Sequence, residues 1–139
     1  MNFVVDSSMA LAWVMRDEAG SETDKVLDLL GRGGRAFVPA IWHWEIANAL
    51  LSVERQKRAT KMEINRHLSL FRSLPITVDE VAINQAWGVT HLLAQQHRLT
   101  SHDAAYLEMA VRLGLPLATL DQDLVAAAQT EKVQLLPRE

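Results

Sequence analysis

The chain predicts an α/β fold: one parallel sheet of five short strands in the order 3-2-1-4-5, with helices on both faces. Three observations predict it. Short apolar runs bounded by turn or capping residues recur at 3–5, 36–38, 75–78, 117–119 and 133–136. Between them lie segments with apolar residues at helical spacing, and strands that alternate with helices form parallel sheets covered on both sides. The length of 139 residues, 49% hydrophobic and 22% charged, suits one globular domain with a full core.

Taken in order, residues 3–5 form a short buried strand. Ser7 or Ser8 is placed to cap a helix over Met9 to Met15, flanked by Leu11 and Trp13. Val26, Leu29 and Leu30 mark a second helix over Glu22 to Leu30, stopped by Gly31, Gly33 and Gly34. Residues 36–38 make the second strand, ended by Pro39. The spacing of Ile46, Ala47, Leu50 and Leu51 predicts a long helix from Ile41 to Arg55. Ile64, Leu68 and Phe71 share a face of the next helix, Met62 to Ser73. After the third strand, 75–78, Asp79 is placed to cap a helix reaching His97, with Val81, Ala82, Ala86, Val89 and Leu93 in period. Thr100 or Ser101 starts the following helix, which ends at Gly114. The fourth strand is 117–119. Asp121 or Gln122 opens a helix through Ala128, and 133–136 is the fifth strand.

Composition excludes several classes. Cysteine is absent, which removes disulfides, thiolate metal sites and cysteine nucleophiles and suits a reducing cytoplasm. There is no signal-peptide pattern, and no apolar run approaches the length of a membrane span. The net charge of -3 is unlike that of bulk nucleic-acid binders. Divalent cations at an acidic site would offset it locally, and Arg55, Lys57, Arg58, Lys61, Arg66 and Arg72 supply a basic stretch that reads equally well as a solvated helix end.

The chemistry rests on four carboxylates. Parallel sheets bind ligands beyond the carboxyl ends of their strands, where the strand order reverses. With strands one and four adjacent, Asp6 and Asp121 leave the sheet side by side. Asp103 stands in the first turn of its helix, and Glu45 sits between Trp44 and Ile46 on an otherwise apolar helical segment, with Asn48 on the same face. Each has an ordinary structural explanation: a turn or cap for Asp6, a solvated side chain for Glu45, a helix-dipole partner for Asp103. Together they describe an oxygen-only site for a hard cation, since clustered carboxylates otherwise repel each other and take up protons. Ser7 and Thr119 are placed to support the acids. Asp123 is either a further ligand or a helix-start charge. His102-Asp103 lacks the further spaced histidines of a His-Asp phosphohydrolase, so His102 reads as a capping-region residue or a support for the acids, not as a ligand.

The blocks Phe3-Val4-Val5-Asp6-Ser7-Ser8, Glu45 with Asn48 and Leu51, Asp103-Ala104 with Tyr106 and Ala110, and Ala118-Thr119-Leu120-Asp121 with Leu124 resemble the four signature blocks of PIN domains. The resemblance runs from about residue 3 to 136, and size and block order are similar to VapC-like toxins, the ribonuclease halves of type II toxin–antitoxin modules. It implies a PIN-like three-layer α/β/α fold and a Mg²⁺-dependent (or Mn²⁺-dependent) endoribonuclease. Asp6, Glu45, Asp103 and Asp121 would be the catalytic and metal-holding quartet, supported by Ser7, Asn48, Thr119 and Asp123. It also implies an RNA substrate, a cognate antitoxin and a homodimer. The four Trp and five Met, notably Trp13, Trp42, Trp44 and Met15, exceed what the core needs and predict an apolar interface.

Three other readings compete. A receiver-like phosphoacceptor domain would need a further acidic pair after the first strand and a Lys near the last, where this chain has Ser7 and Ser8 and no such Lys. A non-catalytic PIN-fold interaction domain would keep the fold without cleavage. A DNA-directed structure-specific nuclease would need helical elements that a chain this short lacks.

Overall fold

The computed structural model describes residues 1–15 and 17–137. Its sheet has five strands, β1 (Asn2–Val5), β2 (Arg35–Val38), β3 (Ile76–Val78), β4 (Leu117–Ala118) and β5 (Leu135–Leu136), in the order β3-β2-β1-β4-β5. Every pairing is parallel. The central strand explains the order: Phe3, Val4 and Val5 are fully buried, as befits a strand covered on both faces. Among the described residues, seven α-helices connect and flank the strands: α1 (Ser7–Ala12), α2 (Ser21–Gly31), α3 (Ile41–Arg55), α4 (Lys61–Ser73), α5 (Val89–His97), α6 (Ser101–Leu113) and α7 (Gln122–Thr130).

Local chemistry sets most boundaries. Thr60 caps α4 through a reciprocal pair with Glu63, and Thr100 caps α6 by accepting from the Asp103 N–H at 3.1 Å. Gly114 ends α6 at φ +64°, a conformation that costs glycine little. Gly34 has a different reason. A Cβ there would stand 2.4 Å from the Met1 carbonyl oxygen and 2.7 Å from that of Leu29, so only glycine lets α2 turn this tightly into β2.

Three expectations need correction. The cap of α1 is Asp6, not Ser7 or Ser8: its carboxylate accepts from the Met9 N–H at 3.0 Å, and the helix ends at Ala12. No continuous helix runs from Asp79 to His97. The chain makes a 3₁₀ turn at Ala82–Gln85 and restarts as α5 after Gly88. The Asp79 carboxylate is taken by Arg112 and caps nothing, while Val81 and Val89, which completed the period, are exposed. The third correction concerns the aromatic residues. Trp13 and Trp42 belong to the core, and Met15 packs against it. Trp44 is exposed, as is Leu51, which had been assigned to the core face.

Candidate active site

Strand pairing brings the first components together. Val5 lies opposite Ala118 in the β1–β4 ladder, so Asp6 and Thr119 leave the sheet as neighbours at its carboxyl edge. The Asp6 N–H donates to the Ala118 carbonyl at 3.1 Å, which fixes the exit. The Asp6 carboxylate is then held on both oxygens. Oδ1 accepts from the Ser8 hydroxyl at 2.8 Å and from the Met9 N–H, and Oδ2 accepts from the Thr119 hydroxyl. Thr119 in turn accepts from the Asp121 N–H at 3.0 Å, and Ser8 from the Leu120 N–H at 3.0 Å. Two hydroxyls thereby tie the start of α1 to the loop after β4.

Asp6 is only 4% exposed, and burial pushes its carboxyl up to about 6 despite these three hydrogen bonds. The charge of Asp103 pushes in the same direction. Asp103, in the first turn of α6, is also raised above the usual carboxylate range. Burial is the main cause and Asp121 the next; Asp123 adds to the rise, while Thr100 and His102 oppose it. Asp121 caps α7, accepting from the Leu124 N–H at 3.0 Å. Asp6, Asp103 and Asp121 therefore form a chain of mutually repelling acids along one edge of the sheet.

Glu45 joins from α3. Its Oε1 accepts from the Tyr106 hydroxyl at 2.5 Å. Tyr106 is buried on α6, one turn beyond Asp103. Burial first, then the bond to Glu45, then the charges of Glu45, Asp6 and Asp103 push its phenol far up, so Tyr106 remains a proton donor. The phenol is thus bonded to Glu45 and feels the charges of Asp6 and Asp103.

Hydrogen bonds join Thr119 to Asp6 and Asp121, charge couples Asp6 to Asp103 and Asp103 to Asp121, and Glu45 connects to this group through Tyr106. Asp123 is exposed in the first turn of α7 and reaches the group only through its charge on Asp103. Asn48 is exposed one turn beyond Glu45. The hydroxyl that supports Asp6 belongs to Ser8, not to Ser7. Tyr106 and Ser8 hold Glu45 and Asp6, a role that the sequence does not announce. Tyr106 was visible as a residue three beyond Asp103, hence on the same helical face. Ser8 had no such signal, because the cap was assigned one residue too late.

Among the described residues, no three His, Asp or Glu side chains already surround one point at ligand spacing. The donors are nonetheless of one kind, carboxylate and hydroxyl oxygen, which is the set that Mg²⁺ and Mn²⁺ take. Two of the carboxyls, those of Asp6 and Asp103, are raised by burial and by neighbouring carboxylates, which a cation would reverse.

The sequence profile of the PIN domain matches residues 3–129. The chain belongs to the PIN domain family. The receiver-like reading falls with that assignment. No curated protein matches the chain. Among solved structures, PAE2754 from Pyrobaculum aerophilum superposes with a TM-score of 0.69 at 24% identity, over 97% of this chain and 83% of that one. VapBC2 from Rickettsia felis, solved bound to a DNA fragment from its promoter, gives 0.66 at 13% identity over 97% of each chain. FitAcB from Neisseria gonorrhoeae gives 0.65 at 17% identity, over 98% of this chain and 96% of that one. These likenesses show a shared fold. None of the described helices is long and apolar enough to cross a membrane.

Proposed function

We propose that this PIN domain is a divalent-cation-dependent endoribonuclease and the toxin of a type II toxin–antitoxin pair, acting in the cytoplasm. The observation that carries the reading is the electrostatic chain from Asp6 through Asp103 to Asp121 at the sheet edge, with Tyr106 tying Glu45 to α6 and with the carboxyls of Asp6 and Asp103 raised by burial and by neighbouring carboxylates. In this reading the four acids hold Mg²⁺, with Mn²⁺ as a substitute. The cation supplies an acidified water and positive charge for the phosphate.

The protein's own groups do the rest. Thr119 and Ser8 fix the Asp6 carboxylate, and Tyr106 fixes Glu45, so these two acids are held in defined orientations. No side-chain nucleophile is needed, in keeping with a chain that has no cysteine. The antitoxin docks on the exposed face of α3, where Trp44, 69% exposed, and Leu51 flank Glu45. From there an Arg or Lys of the antitoxin reaches the acids and competes with the cation. A partner of this kind is also consistent with the VapBC2 fold likeness. The same reading takes the protein as a homodimer, through the exposed apolar residues between Val81 and Leu92.

Incubation of purified protein with structured RNA in Mg²⁺ or Mn²⁺ tests the activity. Cleavage is expected from wild type and is expected to vanish with excess EDTA and in Asp103→Asn. Cleavage undiminished in EDTA would remove the metal mechanism. An antitoxin is tested by co-expression with the neighbouring small reading frame and recovery of a stable complex.

A further inference from the structure

A second concave feature lies on the β3 side of the acids. It is a cleft of about 460 Å³ whose walls include Ile41, Val78, Ile83, Ala86, Thr90 and Ala105. Ser101 and His102, which immediately precede Asp103, also line it. The walls are mainly apolar. Thr90 is an exception: it is buried, and its hydroxyl has no hydrogen-bond partner. Immediately after Ala86 comes Trp87, 97% exposed. Ile83 is 75% exposed, and Val81, Val89 and Leu92 are exposed on the same stretch of chain. A projecting aromatic ring therefore stands beside an apolar hollow.

We propose that Trp87 anchors a symmetric dimer by entering this cleft on a second copy, while the second copy's Trp87 enters the cleft of the first. The inference rests on the homodimer reading above and names the contact that makes it. A two-fold interface must be self-complementary, with knob and hole both present on one patch. Residues 81–92 supply the knob and, together with Ile41, Val78 and the start of α6, the hole. Full burial of one Trp removes roughly 200 Å² of surface, toward the about 800 Å² per partner of a stable interface. The apolar side chains around it extend the patch. A buried indole N–H needs an acceptor, and Ser101, exposed in the wall, carries a hydroxyl that can accept it.

Charge favours protein over RNA as the occupant. The carboxylates at the cleft are Asp79, already paired with Arg112, and exposed Glu80, which would repel a phosphate backbone. The occupied cleft would also press on Ser101, His102 and Ala105, so dimer formation would steady the first turn of α6, on which Asp103 stands.

Sedimentation equilibrium of the full chain provides the test, with Trp87→Ala removing the knob and Ala105→Leu filling the hole. Both variants are expected to weaken the dimer by roughly 100-fold or more, since each dimer loses the anchor twice. Circular dichroism melts establish that the monomers remain folded. A dimer unchanged in both single variants would overturn the anchor and leave the homodimer standing. A wild-type monomer at all concentrations would overturn both. Loss of RNA binding by Ala105→Leu without change in mass would give the cleft to a nucleobase instead.

Discussion

Asp6 carries two roles that conflict in the absence of a cation. Its carboxylate caps α1 and braces the β4 loop, which favours the charged form, yet its burial penalises charge and dominates. Its carboxyl lies at about 6 in the folded protein against 3.8 unfolded. The folded state therefore holds its proton more tightly. The resulting stabilisation is complete below about pH 4 and is lost as pH rises through 6. About two units correspond to about 3 kcal/mol. In EDTA, Asp6→Asn is expected to melt above wild type at neutral pH, with the gap closing toward pH 4. A variant that melts several degrees below wild type at neutral pH would make Asp6 a capping residue first.

Tyr106 and Thr119 act through the acids they hold. Tyr106→Phe and Thr119→Val are each expected to weaken Mn²⁺ affinity by roughly 10-fold, as loss of a ligand's supporting hydrogen bond does elsewhere. Calorimetric titration of each variant measures this. Unchanged affinity in both would mean that these hydroxyls only fill space. At this scale the sequence was legible where chemistry is carried by charge. Asp6 leaves an apolar strand and Glu45 sits in an apolar helical segment, while Asp103 and Asp121 gain meaning only beside them in the predicted strand order. Hydroxyl and phenol donors did not stand out, because Ser, Thr and Tyr occur widely as caps and packing residues.

Among the elements, α6 bears the most. It carries Asp103 and Tyr106 at its start and a buried ion cluster near its end. Glu108 is almost fully buried, and Arg112 Nε donates to it at 2.8 Å while Arg112 Nη2 donates to Asp79 after β3. This cluster fixes α6 against the sheet edge and so sets the height of Asp103 over Asp6. Arg112→Met strands Glu108 without its cation and is expected to cost about 3–5 kcal/mol. Urea unfolding would show it as a lower midpoint, and a change within error would mean that solvent replaces Arg112. The same cluster explains why the segment after β3 was misread. Sequence period cannot see that Asp79 is claimed by a residue 33 positions away, and a capping carboxylate with another partner caps nothing. Elements set by local signals were legible, as with Thr60 and Glu63 at α4 or Gly114 after α6.

For the whole molecule, strand order placed the site before any side-chain geometry was considered. Near-continuous burial along Phe3, Val4 and Val5 made β1 central, and a central β1 beside β4 puts Asp6 next to Thr119 and Asp121. The division of aromatic residues between core and surface was not legible, since Trp13, Trp42, Trp44 and Trp87 are chemically alike and only packing separates them. The central claim is that Asp6, Glu45, Asp103 and Asp121 form one cation site. Isothermal titration of metal-free protein with Mn²⁺ tests it most directly. Wild type is expected to bind with release of protons near pH 6, and Asp103→Asn to lose that binding while keeping its fold. Equal binding by the two proteins, or none by wild type, would contradict the claim.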